Sequence, residues 1–329
     1  MVILRRIIEQ SWIKPNIVTV VLWPLSLMYR LLFGLRSMLY ASGVISSYKA
    51  PVPVLVVGNL TVGGTGKTPL VIHLVETLRG FGFNPGVISR GYGGSASAYP
   101  YVVTTDSPVD ECGDEPALIV SRTAVPMVVG PDRRASIEAL LALTAIDIVI
   151  SDDGLQHLAL QRDLEICLMD STSPLVNNFL LPAGPYREAL SRLKTVDLIV
   201  DHGVDNDSDL RFAMNLSPSA PRPVSPEAGF SQQFPAEFSF HAVAGIGNPS
   251  RFFNTCRTLG YTFSEHRFPD HHPFSKDDID FAGETVLMTE KDAVKCQNFA
   301  QSEHWYLPVD ATLSAKFDGA LKARLTKLN

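Results

Sequence analysis

The run Thr61-Val62-Gly63-Gly64-Thr65-Gly66-Lys67-Thr68 constrains this chain more than any other feature. It follows Val52 to Val57, a short continuous apolar run of the kind a buried parallel strand shows, closed by Gly58-Asn59. Helical spacing begins at Thr68, with Leu70, Val71, Leu74, Val75 and Leu78 on one side, and Gly80 and Gly82 close it. Strand, glycine loop and helix in that order aim backbone N–H groups at an anion, and Gly63, Gly64 and Gly66 let them turn toward it. Lys67 can then reach the β- and γ-phosphates of ATP, and the Thr68 hydroxyl can ligate Mg²⁺. The strict pattern G-x-x-x-x-G-K-[ST] is not met, because Thr61 stands where the first glycine belongs; the run has the shorter x-G-G-T-G-K-T form. A purely structural glycine turn would look similar, but G-K-T between a buried strand and a helix favours a P-loop.

Alternation continues downstream. Strands are expected at Pro85–Ser89, Val125–Val129, Ile146–Ser151, Leu164–Met169 and Val196–Val200, and helices over Glu115–Ser121 and Asp132–Leu143. This predicts an α/β fold: a mostly parallel sheet flanked by helices, with right-handed crossovers. Between about Gly203 and Pro235 the composition turns to Asp, Ser, Pro and Gly, with Pro218, Pro221, Pro223 and Pro226 close together, as in an interdomain connection. Beyond it, Phe238–Ala244, Val286–Thr289 and Trp305–Val309 read as strands of a smaller α/β lobe. The expected organisation is an N-terminal helical segment over 1–49, a P-loop core over 50–205, a linker over 206–235 and the smaller lobe over 236–329.

The N-terminal segment stands apart. It carries Arg5, Arg6, Lys14, Arg30, Arg36 and Lys49 against Glu9 alone, within a chain of net charge −6. Basic charge confined to an apolar end does not make a nucleic-acid surface, and no nucleic-acid partner is expected. Ile17 to Tyr29 is almost wholly apolar, yet Lys14 and Arg30 bound it short of the ~18–20 residues of a span, and Pro24 is expected to kink it. A cleaved signal peptide fits Arg5 and Arg6 before an apolar run, but an ATP site downstream argues against export. Two readings stand: a segment lying in a membrane interface with Trp12, Trp23 and Tyr29 at the boundary, or an apolar helix pair packed on the protein's own core. Cys112, Cys167, Cys256 and Cys296 are far apart and form no C-x-x-C pair.

Ser151-Asp152-Asp153-Gly154 puts two carboxylates at the C-terminal end of an expected strand, the edge that faces Mg²⁺ in P-loop proteins. An Asp capping a turn beside Gly is the plain alternative. Ser89-Arg90-Gly91-Tyr92-Gly93-Gly94, Gly113-Asp114-Glu115-Pro116 and Pro269-Asp270-His271-His272-Pro273 each read alone as a loop or an N-cap.

Taken together, these motifs resemble the tetraacyldisaccharide 4'-kinase family of lipid A biosynthesis. The resemblance is carried by Val57 to Pro69, Ser89 to Gly94, Gly113 to Pro116, Asp152-Asp153-Gly154-Leu155-Gln156-His157, Leu181 to Glu188, Phe268 to His272 and Thr289-Glu290-Lys291-Asp292-Ala293-Val294-Lys295, in order over nearly the whole chain. It implies transfer of the γ-phosphate of ATP to the 4'-hydroxyl of a tetraacylated glucosamine disaccharide 1-phosphate, giving lipid IVA. It implies a peripheral or monotopic enzyme at the cytoplasmic face of the bacterial inner membrane, with an N-terminal helix dipping into the bilayer. The motif positions imply Asp114 and His271 as the pair that deprotonates the sugar hydroxyl, with His271 chosen over His272 by order alone. They imply Thr61 to Thr68 around ATP with Lys67 on its phosphates, Thr68, Asp152, Asp153 and Glu188 around Mg²⁺, and Arg90, Tyr92, Gln156, His157 and Arg187 near the substrate.

Two rival classes share parts of this pattern. A membrane-associated regulatory or partitioning ATPase also joins an x-G-G-x-G-K-T loop to an amphipathic anchor, but it normally has lysine before the paired glycines, where this chain has Val62. A soluble small-molecule kinase or ligase would use the apolar segment for packing only. Protein partners are not legible in the sequence.

Overall fold

The computed structural model describes residues 2–173, 177–204, 207–225 and 233–328, with side chains from residue 7 onward. The side chains of Arg5 and Arg6, and Asn206 and residues 226–232 of the expected linker, lie outside the described residues. In chain order the elements are α1 (Val2–Ile13), α2 (Ile17–Ala41), β1 (Val54–Asn59), α3 (Lys67–Gly80), β2 (Pro85–Ser89), β3 (Tyr101–Val103), α4 (Val109–Cys112), α5 (Asp114–Thr123), β4 (Met127–Val129), α6 (Arg133–Leu143), β5 (Ile148–Ser151) and β6 (Leu164–Asp170). There follow β7 (Leu198–His202), β8 (Arg211–Pro218), β9 (Arg222–Pro223), β10 (Phe240–Ala244), α7 (Pro249–Thr258), β11 (Phe263–Arg267), β12 (Val286–Thr289), α8 (Glu290–Cys296), β13 (His304–Leu307), β14 (Val309–Leu313) and α9 (Ala315–Leu325).

Among the described residues nine strands form one sheet in the order β14-β8-β7-β6-β1-β5-β2-β4-β3, and five form a second in the order β11-β10-β12-β13-β9. Among these strands the outer pairs β14–β8, β3–β4 and β13–β9 are antiparallel and the rest parallel. β1 lies between β5 and β6, with Val56 opposite Ser151 on one side and Gly58 opposite Cys167 on the other. Buried on both faces, it has no polar face to alternate, which is why its sequence is a continuous apolar run. On one side of the sheet Leu70, Leu74 and Leu78 of α3 pack with Ile119 of α5 and Phe317 of α9; on the other Ile137 and Leu140 of α6 pack with Leu155 and Leu160. Asp132 starts α6 by accepting from the amides of Arg134 and Ala135.

Two expectations about the smaller lobe need correction. Residues 211–218, inside the expected linker, form β8, paired in parallel with β7. Residues 309–325 return to the larger sheet as β14 and α9 rather than staying with the smaller lobe, and Phe317, Leu321 and Leu325 sit in its core. Pairing so far along the chain leaves no local signal, and proline and serine at an outer strand look like a connection.

The N-terminal segment also departs from expectation in part. α2 runs unbroken through Pro24, Arg30 and Arg36 for 25 residues, and by length and composition alone it could cross a membrane. Within it Pro24 removes one ladder donor but does not stop the helix. Trp12 is not at a free boundary: it is buried, and its indole donates to Pro182 O at 3.0 Å. Ser26 Oγ donates to Leu180 O at 2.8 Å and Tyr29 Oη to Arg187 O at 2.9 Å, so one side of α2 is sewn to the 180–187 segment. The rest of its apolar surface is open, with Ile17, Val20, Val21, Trp23, Met28 and Leu31 exposed.

Candidate functional site

The site lies at the C-terminal ends of β1, β2 and β5, where the larger sheet meets the smaller lobe. β1 ends on Asn59, and residues 60–66 turn onto the N-terminus of α3. Gly63 and Gly66 have φ of 109° and 96°, left-handed values that cost glycine little. Lys67 Nζ donates to Asn59 Oδ1 at 3.1 Å and stands 3.4 Å from Asp153 Oδ1, while Asn59 Nδ2 donates to Thr65 Oγ1 at 3.1 Å. Asn59 thus braces both the loop and its lysine, a role nothing in its local sequence announces. The loop is braced from outside as well: Val62 N donates to Pro185 O at 3.0 Å, and Arg187 N to Leu60 O at 2.6 Å.

Asp152 and Asp153 follow β5 with opposite electrostatics. Asp152 is 2% exposed, and burial with the neighbouring Glu115 and Asp153 charges pushes its pKa up. Its Oδ1 is buried without a hydrogen-bond partner. Its carbonyl accepts from Arg133 Nη2 at 2.9 Å; burial lowers the pKa of that guanidinium to about 10. For Asp153 burial acts upward, but Lys67 and Arg187 outweigh it and hold the carboxyl below its ordinary range. Arg187 Nη1 reaches both its oxygens at 3.2 and 3.0 Å. An orphaned buried carboxylate oxygen, a second carboxylate and the Thr68 hydroxyl suit a hard cation that takes its remaining ligands from phosphate and water, as Mg²⁺ does. Among the described residues no three His, Cys, Asp or Glu side chains converge as an all-protein metal cage.

Glu188, expected around Mg²⁺, is held in place by neighbouring side chains. Its Oε1 accepts from Gln156 Nε2 at 2.8 Å and its Oε2 is 3.4 Å from Arg192 Nε. It braces Gln156, which also donates to Asn59 O at 3.2 Å. His157 is half-buried, and burial with Arg133, Arg162 and Arg36 lowers its pKa to about 4, leaving a neutral imidazole at neutral pH.

Asp114 and His271, 157 residues apart, meet across the lobe boundary. His271 Nδ1 is 3.1 and 3.0 Å from the two oxygens of Asp114, which is 3% exposed at the first position of α5. The hydrogen bond to Asp114 raises the imidazole pKa against burial and the charge of Lys291. Conversely, burial would raise Asp114, but His271, Lys291 and Lys295 lower it. Tyr92, 65% exposed, meets the His271 ring edge-on at 5.2 Å, and Arg90 is exposed beside it on the same loop. His272 is directed elsewhere, with Nε2 at 3.3 Å from Asp278 and its ring among Phe268 and Phe274. Gly247 leaves room where the two halves approach: a Cβ there would lie 3.3 Å from Asp270 Oδ2 and 3.4 Å from the Gly64 amide. Among the described non-glycine residues only Ala124, Asp153, His271 and Ala282 have positive φ, and two of these four are site residues. Such backbone costs of order 1 kcal/mol or more and persists where the surroundings enforce it.

The model of the family described as tetraacyldisaccharide-1-P 4'-kinase matches residues 18–326. The chain is 46% identical over 320 residues to the tetraacyldisaccharide 4'-kinase of Pseudomonas entomophila, spanning 97% of this chain and 95% of that one. It is 47% identical over 325 residues to that of Shewanella pealeana, spanning 98% of both. The crystal structure of the "apo" form of LpxK from Aquifex aeolicus in complex with ATP superposes with a TM-score of 0.80 at 28% identity, covering 94% of this chain and 99% of that one.

Proposed function

The chain belongs to the tetraacyldisaccharide-1-phosphate 4'-kinase family, and on that premise we propose which of its residues carry the transfer. It is an ATP-dependent kinase of lipid A biosynthesis that phosphorylates the 4'-hydroxyl of a tetraacyldisaccharide 1-phosphate, giving lipid IVA.

The loop amides from Thr61 to Gly66 and the Lys67 ammonium bind the triphosphate, which neutralises charge where it develops on the transferring group. Thr68, Asp152 and Asp153 would hold Mg²⁺, which when bound draws charge from the phosphate oxygens. His271 Nε2 takes the proton of the 4'-hydroxyl as that oxygen bonds to the γ-phosphorus. The bond from the γ-phosphorus to the oxygen bridging the β-phosphate breaks, and ADP leaves. Asp114 accepts the Nδ1–H, so that Nε2 carries the lone pair, and it stabilises the imidazolium that forms. Arg90 and Tyr92, exposed on one loop whose Tyr92 meets His271, and Arg187, Gln156 and His157 contact the substrate. The exposed apolar side of α2 sits in the cytoplasmic leaflet of the inner membrane, where the acyl chains of the substrate lie.

The observation that carries these roles is the Asp114–His271 pair, 3.0 Å apart across the lobe boundary. The test is to incubate the protein and its His271→Gln and His272→Gln variants with labelled ATP and the tetraacyl disaccharide 1-phosphate, and to count phosphate on the lipid. His271→Gln should lose about 10²–10⁴ in kcat, and His272→Gln should stay near wild type. The reverse ranking refutes the assignment.

A further inference from the structure

The exposed apolar surface of α2 belongs to the membrane reading already given, and the His241–His266–Glu284 chain on the smaller lobe bonds within itself. The cluster behind Asp114 carries more. We propose that Lys291 and Lys295 of α8 are positioning residues for the proton-transfer pair, reaching across the lobe boundary to fix the Asp114 carboxylate that holds His271. This rests on the reading of His271 as the base and adds what sets that base's orientation and charge.

The geometry is specific. Lys291 Nζ is 3.7 Å from Asp114 Oδ1, and Lys295 Nζ is 3.8 Å from Oδ2, so each oxygen has its own ammonium as well as the shared imidazole. A buried carboxylate offers about four lone-pair positions, and one imidazole N–H leaves most of them open. Both lysines are themselves anchored. Lys291 pairs with Glu115 Oε1 at 3.0 Å, next to Asp114 on α5. Lys295 is 8% exposed, lies 2.6 Å from Asp292 Oδ1 and sits 4.9 Å from the centre of the Phe274 ring. Asp292 in turn accepts from Gly245 N at 2.8 Å and Thr289 Oγ1 at 2.6 Å, so Lys295 is tied to the framework of the smaller lobe. At the far end of α5, Arg122 grips Glu290 and Asp310. The two helices are therefore pinned at both ends, and a four-residue spacing on α8 brings both lysines to one helical face.

Charge explains why lysine is needed. His271 is faced by Asp114 from α5, Asp270 from its own loop, Lys291 from α8 and the Tyr92 ring. Asp114 is faced by Lys291 and Lys295, with Glu115 beside it and Asp110, Glu111 and the buried Cys112 thiol in the preceding turn. Carboxylates crowded around an imidazole keep it protonated, and a protonated imidazole cannot accept a proton. The two ammonium groups offset that excess while leaving Asp114 ionised.

The experiment follows phosphate transfer by Lys291→Met, Lys291→Arg and Lys295→Met across pH, with His271→Gln alongside. Lys291→Met should lower kcat at neutral pH by about ten-fold, a part of the ~10²–10⁴ due to the base. It should also move the acidic limb of the kcat profile to higher pH, because Lys291 lowers the His271 pKa. Lys291→Arg should restore both. A merely structural lysine would change the rate without moving the limb, so an acidic limb unmoved in Lys291→Met overturns the inference. Lys295→Met removes a buried anchor and is read with its melting curve; Lys291, at the edge of the interface, carries the decision. If instead His271→Gln retains the wild-type acidic limb, His271 is not the titrating base and the underlying assignment fails first.

Discussion

Asp114→Asn is the most searching single change, because it keeps shape and removes charge. In the native site both carboxylate oxygens are within 3.1 Å of His271 Nδ1, and each also faces an ammonium at 3.7 or 3.8 Å. An asparagine cannot satisfy this arrangement in either flip: its NH₂ must face a lysine and, because both oxygen positions lie within 3.1 Å of Nδ1, also opposes Nδ1 as a second donor. The imidazole then places its proton on Nε2, where the substrate hydroxyl has to deliver one. The expected loss in kcat is about 10²–10⁴, or about 2.7–5.5 kcal/mol at ~1.4 kcal/mol per decade. Lys291 keeps Glu115 and Lys295 keeps Asp292, but a site built for a carboxylate is left imperfectly paired, which should cost about 1–3 kcal/mol of stability; rates are therefore to be taken well below the melting temperature. Asp114 is the largest cause raising the His271 pKa, while burial and Lys291 lower it, so the residual activity should extend to lower pH. The assay is initial-rate transfer of labelled phosphate at saturating ATP and lipid, from acid to alkaline pH. A variant within about five-fold of wild type, or a double variant with His271→Gln showing multiplied losses, would refute the pair acting as a unit.

Three further outcomes are expected. Lys67→Ala should cost about 10² or more in kcat but no more than about 1 kcal/mol in stability, because Asp153 keeps Arg187 at 3.0 Å; kcat and the melting curve together check this. Asp152→Asn should raise the melting temperature without Mg²⁺ while abolishing the further rise that Mg²⁺ and ATP confer. The fold favours the protonated form of Asp152, so wild-type stability should fall as pH rises from the ordinary carboxylate range through the raised pKa, and the variant should lack that slope. Gly113→Ala should destabilise by more than about 1 kcal/mol and lower kcat, since φ is 92° and a Cβ would lie 2.6 Å from Tyr92 O, displacing Asp114; urea unfolding and rate measure the two effects.

Local order was legible in the sequence because local physics produces it. The glycines before Lys67, the apolar run of β1, the 3.6-residue spacing of α3 and the Asp132 cap act within a few residues of themselves, and a linear reading sees them. The ordered motifs also named Asp114, His271 and the acidic pair as residues to watch. Tertiary structure decided what depends on distant segments meeting. It drew residues 211–218 and 309–325 into the larger sheet, turned His271 rather than His272 toward Asp114, and engaged both oxygens of Glu188 with Gln156 and Arg192. It also gave Asn59, Arg133, Lys291 and Lys295 their contacts with the site. A strand at the rim of a sheet, or a lysine aimed at a carboxylate more than a hundred residues away, owes its place to packing between segments that share no local periodicity, so no window of sequence contains the interaction that selects it.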